Sequence, residues 1–133
     1  MKLTIYTDGG ARGNPGPSGI GVCITDEKGN KVKEISEHIG NATNNQAEYG
    51  ALVRGLEEAK KLKADEISIF MDSELVVKQV KQEYKVKDKD LGVLFVKVWN
   101  ILQEFNKWEI KHIKRDKNKR ADELVNLALD KKN

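Results

Sequence analysis

The chain has 133 residues, with 38% apolar side chains and 34% charged ones, the size of one ordinary domain with enough apolar content for a core. Lys and Arg outnumber Asp and Glu by 24 to 21, a net charge of +3 that is mildly basic and weak grounds by itself for a nucleic-acid partner. No apolar run approaches the ~20 residues of a membrane helix, residues 1–6 reach a polar Thr7-Asp8-Gly9 too early for a signal peptide, and the single cysteine, Cys23, cannot close an internal disulfide. These features predict a single cytoplasmic domain spanning 1–133.

Residues 3–8 alternate apolar and polar as a half-buried strand does. The segment 9–19 holds both prolines and five glycines and reads as a loop. A second strand covers 20–25, with Ile20, Val22 and Ile24 on one face, and Gly29 or Asn30 suits the hairpin turn that follows. The third strand, 31–39, breaks strict alternation at Val32, Ile35 and Ile39, which points to a bulge. Ala47, Ala51, Leu52, Leu56, Ala59 and Leu62 then recur at helical spacing, with Thr43, Asn44 or Asn45 as the N-cap. A strand over 67–72, a short helix capped by Ser73, a charged connector over 83–90, a helix over 91–105, a strand over 108–114 and a last helix over 121–129 complete the order βββ-α-β-α-α-β-α. Short turns make the first three strands antiparallel, and helical crossovers make the last two parallel to a neighbour. The expected fold is therefore a three-layer α/β domain with a five-stranded mixed sheet and helices on both faces.

Four carboxylates stand at converging positions. Asp8 ends the first strand, Asp72 ends the fourth, Glu48 lies in the first turn of the first long helix, and Asp122 opens the last one. Singly, each reads as a turn or cap residue, and Glu48 three residues after Asn45 could complete a capping box. Together at one edge of the sheet they repel, and divalent cations relieve that repulsion. An oxygen-only set favours Mg²⁺ or Mn²⁺ over zinc. Basic side chains concentrate over 107–120 and, around Tyr84, at Lys78, Lys81, Lys85, Lys87 and Lys89; each group is either a solvated face or a phosphate footprint.

Four segments carry a resemblance to the type 1 ribonucleases H over nearly the whole chain. They are Tyr6-Thr7-Asp8-Gly9-Gly10-Ala11-Arg12-Gly13-Asn14-Pro15-Gly16, Thr43-Asn44-Asn45-Gln46-Ala47-Glu48, Met71-Asp72-Ser73 and Arg115-Asp116-Lys117-Asn118-Lys119-Arg120-Ala121-Asp122. The resemblance implies that Asp8, Glu48, Asp72 and Asp122 are catalytic and hold two Mg²⁺ ions, with Mn²⁺ a substitute. It implies hydrolysis of the RNA strand of an RNA–DNA hybrid, leaving 5′-phosphate and 3′-hydroxyl ends. It also implies substrate contact by Gly10, Arg12, Gly13, Asn14, Asn44 and Glu74, with Thr43 and Asn45 on the DNA strand. The expected partner is the hybrid, with no membrane and no obligate protein partner, and the chain is expected to be a monomer.

The chain departs from the family pattern at several points. Asn41 stands where some members carry an Arg beside the phosphate-binding Thr, and Glu74 stands where some carry Gln. Residues 73–91 are too few for the extra basic helix of handle-bearing members, so the chain resembles the compact branch, and no hybrid-binding domain is expected before Met1. His112 lies ten residues before Asp122, as a catalytic His does in some members, yet it sits in a strand-like run followed by Arg115. His112 and Arg115 are therefore accessory candidates, His112 either a structural or substrate-side residue or a proton shuttle. The rival readings are another carboxylate nuclease on the same fold and a non-catalytic nucleic-acid binder.

Overall fold

The computed structural model describes residues 1–131. Its elements are β1 (Lys2–Ala11), β2 (Gly16–Thr25), β3 (Lys31–Ala42), α1 (Asn44–Lys61), β4 (Glu66–Met71), α2 (Glu74–Val80), α3 (Lys89–Leu102), β5 (Lys107–His112), a 3-10 turn (Arg115–Lys117) and α4 (Lys119–Asp130). The sheet runs β3-β2-β1-β4-β5. β1 and β3 flank β2 antiparallel, and β4 is parallel to both β1 and β5, as the connection lengths require.

The period-2 pattern of β1 sends Leu3, Ile5 and Thr7 to one face, where they meet α1 together with Val22 and Ile24 of β2. Tyr49, Leu52 and Leu56 of α1 are fully buried on that layer, each contributing ~1.5–3 kcal/mol. α3 packs against α1, and α2 lies near β5. α4 covers β1, β2 and β3 on the opposite face. No helix of the described residues is long and apolar enough to cross a membrane.

Three local readings need correction. The expected loop over 9–19 shrinks to residues 12–15, because the β1–β2 ladder continues through Gly9↔Ile20, Gly10↔Gly19 and Ala11↔Ser18. Two of its five glycines, Gly9 and Gly19, admit helices rather than make a turn: a Cβ on Gly9 would lie 2.2 Å from the Ala47 carbonyl oxygen of α1, and one on Gly19 3.2 Å from Ala128 Cβ of α4. Next, Thr43 is the one of the three N-cap candidates that caps α1, and its box partner is Gln46 rather than Glu48: the Thr43 side chain accepts from the Gln46 N–H while the Gln46 side chain accepts from the Thr43 N–H. Glu48 is thus beyond the first turn and takes no part in the cap. Finally, β5 stops at His112, where the chain turns into the 3-10 segment. The bulges expected in β3 are real, with register shifts opposite Ser18/Gly19 and Ile24/Thr25. A frayed end is the default for the last residues of a chain, and residues 132–133, where it would apply, lie outside the described residues.

Candidate active site

β1 and β4 are parallel neighbours whose pairing ends at Thr7↔Met71, so Asp8 and Asp72 follow it side by side at the carboxyl edge of the sheet. Chemistry collects at such edges in open α/β sheets. Glu48 joins them from α1, held by the close approach at Gly9. The Gly9 N–H lies 2.9 Å from Glu48 Oε1 and 3.0 Å from Asp8 Oδ1. Carboxylate oxygens of Asp8, Glu48 and Asp72 all fall within 4.8 Å of one another. Asp122, in the first turn of α4, stands outside this trio but lines the same cleft of about 370 Å³. Its Oδ1 takes a 3.2 Å hydrogen bond from the Arg115 guanidinium.

The trio is electrostatically uncomfortable. Asp8 is 6% exposed and its carboxyl is pushed up to about 9, first by burial and then by the charges of Glu48 and Asp72. Glu48 is raised by burial and by Asp72, with the Gly9 N–H and Arg115 pulling the other way. A folded chain keeps buried, repelling carboxylates at one point when a cation neutralises them. The donors are all oxygens, without His or Cys, which suits Mg²⁺ or Mn²⁺. The residues present therefore fit a divalent ion.

A family model described as reverse transcriptase-like matches residues 6–128. The chain is 44% identical over 129 residues to a ribonuclease HI of Halobacterium salinarum, covering 97% of this chain and 65% of that protein. A ribonuclease H of Pseudomonas syringae pv. syringae is 34% identical over 144 residues, covering 97% of this chain and 93% of that one. The chain belongs to the ribonuclease H family. The solved RNase H1 of Halobacterium salinarum superimposes with a TM-score of 0.96 at 42% identity, over 98% of both chains. LC11-RNase H1, solved in complex with RNA/DNA hybrid, gives 0.91 at 52% identity over 96% of both. The chain spans 36% of a bifunctional protein of Mycobacterium tuberculosis that it matches at 43% identity over 98% of its own length, so among the first curated relatives it covers between about a third and two thirds.

In this ribonuclease H fold the remaining candidates divide into two groups. Gly10, Arg12, Asn44 and Arg115 line the cleft with the carboxylates. Gly13 and Asn14 complete the turn over 12–15, Gly13 at a φ of 101° that only glycine takes readily. Asn14 Oδ1 accepts from the Asn44 N–H at 3.0 Å, and Asn44 Oδ1 from the Ala11 N–H at 3.2 Å, so the loop and the start of α1 brace each other. The Arg12 guanidinium sits 2.7 Å from Asp130 at the end of α4. Thr43 and half-buried Asn45 stand beside this brace without lining the cleft. Exposed Glu74 opens α2 and pairs with Lys78 at 3.7 Å. His112 ends β5, exposed and outside the cleft lining, which takes Arg115 instead. The sequence reading missed Asn126 in the cleft wall and buried Asn118; an Asn at a helix start reads as an ordinary cap.

Proposed function

We propose that this chain is a metal-dependent endoribonuclease that hydrolyses the RNA strand of RNA–DNA hybrids, leaving 5′-phosphate and 3′-hydroxyl ends. The observation that carries this reading is the trio of buried Asp8 and Glu48 with half-buried Asp72, with Asp122 lining the same cleft and an asparagine-braced glycine turn beside it. Asp8, between the other carboxylates, would be shared by two Mg²⁺ ions, Glu48 would serve the leaving-group side and Asp122 the side of the attacking water. Such an ion pair, when bound, activates a water and stabilises the leaving oxygen of an in-line displacement at phosphorus.

The chain's own groups supply position and selectivity. The backbone at Gly10 and the side chain of Asn44 present donors and acceptors at the cleft, the pairing a 2′-hydroxyl needs, since it is both donor and acceptor. Asn14 holds Asn44 in place from the turn, and Arg12 offers a guanidinium to a phosphate once it leaves Asp130. Thr43 and Asn45, on the outer side of α1, suit the DNA strand, and Glu74 flanks the path on α2. Arg115, 78% exposed and reaching Asp122, is better placed than His112 to meet the reacting phosphate. On this reading the chain acts as a single domain over 1–133 and as a monomer, on primers and genome-bound transcripts in the cytoplasm.

The test is cleavage of a hybrid labelled on one strand at a time, with Mg²⁺ and with chelator. The expected result is metal-dependent loss of the RNA strand alone, abolished in Asp8→Asn. Cleavage of duplex DNA in preference, or near-full activity of Asp8→Asn, would overturn the reading.

A further inference from the structure

Among the described residues, only Thr7 and Asn118 carry a buried side-chain polar atom with no hydrogen-bond partner, Thr7 Oγ1 and Asn118 Oδ1. Asn118 is 1% exposed and occupies the N-cap position of α4, where an Asn ordinarily turns its Oδ1 onto the N–H groups of the first turn. It makes no such cap. Its Nδ2 instead donates to the Thr7 carbonyl at 2.9 Å, across 111 residues of sequence, while Oδ1 is left without a donor. A residue that gives up its local bond and buries an unsatisfied oxygen marks a place where another demand outweighs stability.

The main chain of the same residue shows what that demand is. Its carbonyl accepts from the Asp122 N–H at 3.1 Å, and its N–H donates to the Arg115 carbonyl at 3.0 Å. Thr7, held by the side chain, immediately precedes Asp8, at the point where the pairing of β1 with β4 ends. Asn118 therefore ties three cleft residues into one rigid joint: Asp8 through the strand, Asp122 through the first turn of α4, and Arg115 through the 3-10 turn. Elsewhere α4 is held by apolar packing of residues such as Val125 and Ala128 and by polar ties to β3, where Arg120 grips Glu34 and the Ser36 hydroxyl donates to the Leu124 carbonyl; the Asn118 bond is the one that reaches β1 next to Asp8.

We propose that Asn118 is a positioning residue that sets the separation of Asp122 from the Asp8–Glu48–Asp72 trio, and hence the site's affinity for divalent ions and its turnover. The proposal rests on the functional reading above. Losing the donor frees the start of α4 to shift, and displacements of ~1 Å at such sites cost up to ~100-fold in rate.

The experiment compares wild type, Asn118→Ala and Val98→Ala, the last a buried truncation in α3, on the other face of the sheet, that reports a purely structural loss. Mn²⁺ binding to the full chain is read by calorimetry, and hybrid cleavage gives kcat and KM separately, at a temperature where all three show native circular dichroism. For Asn118→Ala the expectation is an Mn²⁺ dissociation constant raised about tenfold, kcat lowered at least tenfold and KM within about threefold of wild type. Val98→Ala should change none of the three. Asn118→Ala with Mn²⁺ affinity and kcat within twofold of Val98→Ala would overturn the proposal. Should Asn118→Ala lose its native spectrum, Asn118→Ser, with a shorter donor, takes its place under the same criteria. If wild type fails to cleave hybrid, the functional reading fails by itself, and the Mn²⁺ comparison still decides the role of Asn118.

Discussion

Replacing Asp8 by Asn should stabilise the metal-free protein while abolishing its activity. The Asp8 carboxyl is raised from 3.8 to about 9 by burial and by its carboxylate neighbours, so the folded chain holds a proton that the unfolded chain has released across that window. Because the unfolded state binds fewer protons there, stability falls as pH rises from about 4 to about 9. Each pH unit within the window corresponds to ~1.4 kcal/mol, or ~4 kcal/mol between pH 5 and pH 8 as an upper bound. Water entering the open cleft and rearrangement of Glu48 and Asp72 reduce this to ~2 kcal/mol. Asn keeps the oxygen that accepts from the Gly9 N–H and is neutral without taking up a proton. In chelator at pH 8, Asp8→Asn should therefore melt ~6–10 °C above wild type, with a much smaller gain at pH 5. Adding Mg²⁺ should raise the melting temperature of wild type and leave the variant nearly unmoved, closing the gap. Thermal melts by circular dichroism at both pH values, with and without Mg²⁺, measure all of this. A lower melting temperature for the variant in chelator, or a gain independent of pH, would refute the account of the trio as a repelling cluster.

Three further outcomes follow from single contacts. Glu34, gripped by Arg120 at 2.6 and 2.8 Å and held down to about 2, ties β3 to α4; Glu34→Gln should lose ~1 kcal/mol at neutral pH, a difference present in full above about 4.5 that fades as pH falls toward 2, read by urea unfolding at pH 7 and pH 3. A Cβ on Gly21 would lie 2.2 Å from the Ala121 carbonyl oxygen and 2.9 Å from Leu124 Cβ; Gly21→Ala should destabilise by ~1–3 kcal/mol and lower kcat, since the displaced helix start carries Asp122. The fully buried Tyr49 hydroxyl donates to Gln79 Oε1 at 2.7 Å; Tyr49→Phe should lose ~1–2 kcal/mol in chemical unfolding with hybrid cleavage kept, because that bond faces the α1–α2 contact and not the cleft.

What the sequence made legible was whatever one periodicity or one short motif records. Alternation in β1, the helical spacing from Ala47 to Leu62 and the connection lengths were enough for a mixed sheet with parallel β1 and β4, and so for Asp8 beside Asp72. The glycines over 9–19 read as one loop because glycine means two things: freedom in a turn, which Gly13 uses, and room for a neighbour, which Gly9 and Gly19 use. Only the packed helices distinguish the two. The placement of Arg115 in the cleft and of His112 outside it was equally hidden, because it depends on where β5 ends and the chain turns into the 3-10 segment, which the apolar pattern of 108–114 does not mark.

Glu48 and Asn118 share a logic that sequence rules miss for the same physical reason. Each sits near a helix start, where acidic and asparagine side chains ordinarily serve the helix's own N–H groups. At α1 that service is already complete, since Thr43 and Gln46 satisfy each other, so the Glu48 carboxylate is free to be drawn to Gly9 and Asp8. At α4 the N-cap side chain makes no such bond, and Asn118 turns to hold Thr7 instead. In the first case the local rule is obeyed by neighbours and the functional group is released; in the second the rule is broken by the functional group itself. The second arrangement is the less stable one, and it stands where β1 and α4 must be kept in register for Asp8 and Asp122 to face one cleft.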